Sequence, residues 1–212
     1  MIQRDKLIAS DAARILIVED ERIVARDIQR ILQNFGYRVA GIATNGPDAV
    51  KIAHKMSPDL VLMDIALAGF IDGVETVSRL REVIDAPIVY VTAHSDEATL
   101  RRARVTEASG YILKPVNTRE LQITIEMSLY RHAMEKRFRE NAAWLKTTLR
   151  SIGDGVVATD SLARVKFLNP VAEALLQVSE ADVRGLPVDE VMRLHGAGDA
   201  PVPDLSIAAT SP

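Results

Sequence analysis

Uninterrupted apolar runs recur along the first half of the chain: ILIV (15–18), LVLM (60–63), IVYV (88–91) and YIL (111–113). Continuous runs of this kind suit parallel strands covered on both faces. YRVAGIAT (37–44) is a fifth, less regular strand candidate. Between the runs the apolar positions fall at helical spacing. In the segment from Glu21 to Phe35, the residues Ile23, Val24, Ile28, Ile31 and Leu32 form one apolar stripe, and Gly36 stops the helix. Further helices are predicted over 46–56, 73–83 and 96–108, with Ser95 as N-cap neighbour of Asp96, and from near Asn117. Strand and helix alternate five times, the order of an open α/β sheet with helices on both sides.

The last of these helices has no stop signal: from Thr118 to Arg150 there is neither Gly nor Pro. Phe138, Ala142, Leu145, Leu149 and Ile152 step by 4, 3, 4 and 3, a coiled-coil rhythm. Residues 134–150 therefore read as a helical linker, either packed locally or lying along a dimer seam. The pattern changes at SIGDGVVATD (151–160). Gly153, Asp154 and Gly155 predict a turn. GVVATD and ARVKFLN predict two strands around Asp160–Ser161, and Asn169–Pro170 opens a helical stretch, VAEALLQV. HGAGDAPVPDLSIAATSP predicts a loop or frayed end. Two strands do not bury a sheet face by themselves, so the second domain reads as cut short.

Composition narrows the function classes. The chain has 212 residues, 48% of them hydrophobic, enough for one ordinary domain and part of another. Its 26 basic and 29 acidic residues give a net charge of −3, which argues against general nucleic-acid binding. With no cysteine, disulfide scaffolds, thiol catalysis and cysteine metal sites are excluded. No apolar run reaches membrane-spanning length and no secretion signal opens the chain, so a cytoplasmic protein is expected.

Candidate chemistry collects where the strands end. In open α/β sheets, ligands bind at the carboxyl ends of the strands near the switch in strand order. The first strand ends in Glu19 and Asp20, the third in Asp64, the fourth in Thr92 and the fifth in Lys114–Pro115. With sheet order 2-1-3-4-5, three carboxylates crowd one rim. Crowded like charges call for a cation, and a hard divalent ion such as Mg²⁺ takes oxygen ligands. Lys114 adds a fixed positive charge, and Thr92 offers a hydroxyl to an anionic oxygen. This is equipment for placing a phosphoryl group on Asp64, a step that needs mainly positioning and charge neutralisation. A lone acid at a strand end is usually an ordinary loop or capping acid, so the inference rests on the joint arrangement.

At these residues the sequence resembles the receiver domain of two-component response regulators. The matching pieces are ILIVEDE (15–21), LVLMDI (60–65), IVYVTA (88–93) and GYILKP (110–115), and the resemblance covers residues 12–133. It implies a flavodoxin-like, doubly wound five-stranded parallel sheet and a phosphoacceptor at Asp64. It implies Asp20 as a direct Mg²⁺ ligand, Glu19 as a direct or water-mediated one, and the Ala66 backbone carbonyl completing the set. Thr92 would be the switch hydroxyl, Lys114 the phosphate-binding lysine and Tyr111 the switch aromatic. On phosphorylation Thr92 would meet the phosphate and Tyr111 would turn inward, reshaping the face of the predicted fourth helix, the fifth strand and the helix after it. One departure is Ala68, where the family commonly has proline, followed by Gly69, Phe70 and Ile71 in a slightly long loop.

Residues 151–212 are similar to the start of a PAS sensory domain, an α+β fold, through DGVVATD (154–160), VKFLNPVAEALL (165–176), Val183, Gly185 and Val188. Gln177 stands where many PAS domains have Gly. The family's later strands have no counterpart here, so no bound PAS cofactor is expected. His195 is read as a loop histidine, His132 as a helix residue and not a kinase phosphohistidine, and Arg101, Arg102 and Arg104 as a solvated helix face.

The expected function is thus a phosphorelay response regulator. It would take phosphate from a histidine kinase or phosphotransfer protein and pass a conformational change along the long helix. The linker helix, or the reshaped face, offers a homodimer contact. The alternative is the regulatory front of a larger enzyme, a sensor histidine kinase or a cyclic-dinucleotide enzyme. Two further classes fit less well. An aspartate-nucleophile phosphatase wants a second acid, absent from Asp64-Ile65-Ala66. A flavin binder wants a hydroxyl-rich loop, where the chain has EDER.

Overall fold

Each continuous apolar run becomes a buried strand. The computed structural model of the protein describes residues 12–67, 71–93 and 108–195. The helix predicted over 96–108, with Ser95, Asp96, Arg101, Arg102 and Arg104, lies outside the described residues, as do Ala68, Gly69, Phe70 and the tail after His195. The first elements are β1 (Arg14–Val18), α1 (Arg22–Asn34), β2 (Arg38–Ala43), α2 (Gly46–Met56), β3 (Leu60–Asp64) and α3 (Gly73–Arg81). They are followed by β4 (Ile88–Thr92), β5 (Gly110–Leu113) and a 34-residue helix, α4 (Thr118–Ser151). The five strands form one parallel sheet in the order β2-β1-β3-β4-β5, as the sequence predicts. The pairing of β1 with β2 shifts register between Ile15 and Leu16, and β2 is an edge strand with mostly half-exposed residues, which fits its weaker apolar pattern.

Alternation along the strands divides the interior into two layers. On one face Leu16, Val18, Val61, Met63, Ile88 and Tyr90 pack against Ala49 and Ala53 of α2 and Val74, Val77 and Leu80 of α3. On the other, Ile15, Ile17, Leu60, Leu62, Val89, Val91 and Ile112 meet Ala25, Ile28 and Leu32 of α1 and Leu121 and Ile125 of α4. Each fully buried aliphatic side chain contributes roughly 1.5–3 kcal/mol of transfer free energy. The stripe of α1 is corrected at one point: Ile23 is 80% exposed, and the small Ala25 takes the buried place. The residues facing the sheet step by three and four (25, 28, 32), which turns position 23 to the opposite side.

Two short contacts fix the ends of these elements. Arg14 binds the carbonyls of Met56 (3.0 Å) and Ser57 (2.6 Å) and pairs with Asp59, tying the start of β1 to the end of α2. Asp72 caps α3 by accepting from the Glu75 N–H at 2.9 Å. Beside it, Gly73 donates its N–H to the Ile65 carbonyl at 3.1 Å. A Cβ at Gly73 would stand 2.0 Å from the Asp64 carbonyl oxygen, so only glycine lets α3 start this close to β3.

The chain divides into two compact units, one up to Lys136 and one from Arg137, with α4 running through the boundary. In the second unit β6 (Val157–Thr159) and β7 (Val165–Leu168) pair antiparallel, followed by α5 (Pro170–Leu176), α6 (Glu180–Val183) and α7 (Val188–His195). Val165, Leu168, Ala172, Val183 and Val191 form its core. The fully buried Asn169 organises this unit. Its Oδ1 accepts from the N–H groups of Val156 (2.8 Å) and Ala172 (2.9 Å). Its Nδ2 donates to the carbonyls of Leu149 (3.2 Å) on α4 and Asp154 (2.8 Å). Gln177 ends α5 with φ 54°, a left-handed conformation that glycine adopts without strain. His195 is the last residue of α7, not a loop residue; that helix is anchored by Val191, 1% exposed. Among the described residues no helix is long and apolar enough to cross a membrane.

Gly73→Ala is expected to destabilise the first unit by about 1–3 kcal/mol, because backbone must shift to admit the methyl group. Chemical denaturation of the two proteins checks this; an unchanged midpoint would mean that α3 does not approach Asp64 so closely.

Candidate functional site

The register of the sheet brings the predicted rim residues together. Val18 pairs with Met63 and Asp64 with Val91, so Glu19, Asp64 and Thr92 follow on adjacent strands. The Glu19 N–H donates to the Ala43 carbonyl at 2.9 Å, and the Lys114 N–H donates to the Thr92 carbonyl at 2.7 Å. Both ladders thus extend one residue past the strands and place these two side chains.

Lys114 lies at the centre. Its Nζ donates to Asp64 Oδ2 at 2.8 Å and to Glu19 Oε1 at 3.0 Å. Asp64 is 4% exposed and Glu19 1%. The other Asp64 oxygen, Oδ1, accepts from the Ala66 N–H at 3.0 Å, so both carboxylate oxygens are held. The Ala66 N–H is thus engaged with Asp64, which leaves the role of its carbonyl untouched. Thr92, also buried, donates its hydroxyl to the Ala93 carbonyl at 2.7 Å. Tyr111 sits on β5, half-buried, beside the fully buried Tyr90 of β4. The two rings stack with centroids 5.7 Å apart and planes at 25°. Tyr90 was not singled out in the sequence because it lies inside an apolar strand run; its place directly opposite Tyr111 is visible only in the register. Gly73 is expected only as the start of the helix predicted over 73–83, since its approach to Asp64 is a tertiary contact.

The donor set suits a hard cation. Glu19, Asp20 and Asp64 each offer an oxygen, and these lie within 4.8 Å of one another. Glu19 Oε2 is buried and receives no hydrogen bond: Lys114 Nζ is 2.8 Å away, at ion-pair distance but outside hydrogen-bond geometry. A buried carboxylate oxygen left with an unfilled lone pair beside two other carboxylates is where a divalent ion would bind.

The charges in this cluster do not balance. Burial pushes the Glu19 carboxyl up to about 7, against the opposing hydrogen bond from Lys114 and reinforced by the Asp64 charge. Burial pulls the Lys114 ammonium down, but its bonds to Asp64 and Glu19 outweigh this and its pKa is raised. The two directions look opposed, since a good ion pair lowers its acid. For Glu19 the upward direction holds because burial outweighs the Lys114 hydrogen bond, and the neighbouring Asp64 charge adds to it. Glu19 and Asp64 carry one more negative charge than Lys114 neutralises, and Asp20 stands beside them.

The Response regulator receiver domain family matches residues 15–126. Among curated relatives, the transcriptional regulatory protein PdtaR of Mycobacterium tuberculosis is 36% identical over 137 residues, 63% of each chain. The chain thus spans about 63% of the length of that relative. Two solved structures are similar. One is the signal receiver domain of a modulated diguanylate cyclase from Desulfovibrio desulfuricans, 39% identical with a TM-score of 0.57, covering 59% of this chain and 99% of that one. The other is the N-terminal domain of a response regulator/sensory box/GGDEF three-domain protein from Carboxydothermus hydrogenoformans, 37% identical with a TM-score of 0.54, covering 57% of this chain and 98% of that one.

The Glu19 shift fixes the sign of a pH effect. Without divalent cations the folded chain keeps a proton on Glu19 that the unfolded chain releases above its ordinary value of 4.5. The contribution of Glu19 to stability is therefore fullest below that value and is lost as pH rises through about 7, by at most about 1.4 kcal/mol per pH unit. Glu19→Gln is expected to lose this slope. Urea midpoints in chelator across the window check it, and parallel curves for the two proteins would contradict a protonated Glu19.

Proposed function

The chain belongs to the response regulator receiver domain family, and on that premise we propose that it is a phosphoacceptor module of two-component signalling with Asp64 as acceptor. The observation that carries this reading is the Lys114 ammonium held 2.8 Å from Asp64, next to a buried Glu19 oxygen without a hydrogen bond. The donor is the phosphohistidine of a histidine kinase or phosphotransfer protein, and a cytoplasmic setting belongs to the same proposal.

An Asp64 oxygen attacks the phosphorus, a new O–P bond forms, and the bond to the donor breaks with its electron pair leaving on the donor nitrogen. Glu19, Asp20 and Asp64, with the Ala66 carbonyl, are the residues that would hold Mg²⁺, which when bound neutralises charge on the transferred phosphoryl oxygens. Lys114 is aimed at the same carboxylate and passes from Asp64 to a phosphoryl oxygen with little movement. Thr92 rotates its hydroxyl from the Ala93 carbonyl towards the phosphoryl group, and Tyr111 turns into the space released. Hydrolysis by water attack on phosphorus returns Asp64, so the catalysis of the chain is confined to taking and losing this group.

The output side of the proposal runs along α4. In the first unit its inner face buries Leu121 and Ile125, while Met127 and Tyr130 remain exposed. In the second unit Phe138 is 77% exposed and Trp144 69%, with Leu145 also outward. Phe138 and Leu145 lie on the 4-3 series with Ala142, Leu149 and Ile152, with Trp144 beside it, and such a stripe on an exposed helix suits pairing with the same helix of a second copy. On this reading 12–133 is the receiver, 134–150 the linker and 151–212 a PAS-like segment that receives the signal. The alternative is the regulatory front of a longer enzyme, a sensor histidine kinase or a cyclic-dinucleotide enzyme. The descriptions of the two solved relatives, one a diguanylate cyclase receiver and one a GGDEF protein with a sensory box, favour the cyclic-dinucleotide form.

Intact-mass spectrometry after incubation with acetyl phosphate tests the acceptor. One Mg²⁺-dependent phosphoryl adduct is expected on the native chain and none on a folded Asp64→Asn protein; equal labelling of the variant would move the acceptor elsewhere. Sedimentation tests the helix pairing: Phe138→Glu with Leu145→Glu is expected to give monomers where the native chain gives dimers, and a native monomer at every concentration would end that part of the proposal.

A further inference from the structure

We infer that Tyr90 is a positioning residue of the switch, whose buried ring holds Tyr111 in its resting place and sets how readily that aromatic turns when Thr92 is drawn to Asp64. The inference rests on the proposed roles of Asp64, Thr92 and Tyr111, and adds a residue to them. Tyr90 and Tyr111 are partners in the parallel register of β4 and β5. Their rings stack at 5.7 Å. Thr92 follows Tyr90 by two residues, so both side chains leave the same face of β4. The three groups therefore form one column on that face, with Tyr90 beneath the threonine and Tyr111 beside the tyrosine.

The two rings are not equivalent. Tyr90 has no exposed surface and is among the largest fully buried side chains of the molecule, set in the layer with Leu16, Met63, Val77 and Leu80. Such a ring does not leave its place without opening a cavity. Tyr111 is half-buried on the edge strand, so of the two rings it is the one that can turn without opening a cavity in the core. Turning it breaks the stack. An aromatic pair of this geometry shifts a conformational equilibrium by a factor of about two to ten beyond its area burial. Tyr90 thus biases the chain towards the unswitched arrangement, and the phosphoryl group works against that bias. A ligand that binds the switched arrangement binds more tightly as that arrangement becomes more populated.

The test uses fluoroberyllate with Mg²⁺, a phosphoryl mimic that needs no kinase, on the full chain. Tyr90→Leu keeps an apolar side chain and removes the ring; its apparent affinity for fluoroberyllate is expected to tighten by about two- to tenfold. Tyr90→Phe keeps the ring and is expected to stay within about twofold of native. In a Tyr111→Ala background, Tyr90→Leu is expected to change nothing, because the coupling runs through Tyr111. A folded Tyr90→Leu protein with native affinity overturns the inference, and so does the same tightening in the Tyr111→Ala background. If Tyr90→Leu does not fold, the native chain labelled with 3-fluorotyrosine gives the answer: the Tyr90 and Tyr111 fluorine signals should move together on adding fluoroberyllate. A Tyr111 signal that moves while that of Tyr90 stays still overturns the inference. A native chain that binds no fluoroberyllate sinks the phosphoacceptor reading and the inference with it, whereas native binding with silent Tyr90 variants sinks the inference alone.

Discussion

A single ammonium group shared by two buried carboxylates is the constraint around which the first unit is arranged. Glu19 comes from the end of β1, Asp64 from the end of β3 and Lys114 from just past β5. A charge buried without a partner costs several kcal/mol, so these three must arrive together or not at all. Their meeting requires that three pairings, β1 with β3, β3 with β4 and β4 with β5, keep register at once. A slip of one residue in any of them turns the side chains to the opposite face. The apolar layers above and below the sheet hold that register, and the rim uses the precision they provide.

The same sheet links the charged rim to a soft edge. β3 and β4 are fully buried strands, whereas β5 is the last strand and leaves Tyr111 half-covered. Buried strands position Asp64 and Thr92, and the half-covered Tyr111 sits one strand further out. On the proposed reading, this separation would let a local charge change act as a packing change without disturbing the core that places the acids.

Much of this was legible in the amino-acid order. Continuous apolar runs marked β1, β3, β4 and β5, because a strand covered on both faces admits few polar residues. The rim residues Glu19, Asp20, Asp64, Thr92 and Lys114 were legible because strand ends are where polar side chains first become affordable. Less legible were features set by partners remote in sequence. Ile23 fits an apolar stripe by composition, yet it points outward because Ala25, though small, has the right angular position. Tyr90 reads as one more core residue until its register with Tyr111 is known. Gly73 reads as an ordinary helix start until the Asp64 carbonyl is found against it. The short helices α6 and α7 carry few periodic positions, and local pattern does not mark them.

In the second unit, Asn169 has a mechanical meaning. Its amide clamps the Leu149 carbonyl near the end of α4, the Asp154 carbonyl of the following turn, and the first amides on either side of the hairpin and α5. Carbonyls in the last turn of a helix usually face water and leave a loose joint. Here one side chain keys the shaft to the part it enters. A rotation of the last turn of α4 about its own axis must therefore either stretch these bonds or turn the hairpin with it, as a key turns with its shaft.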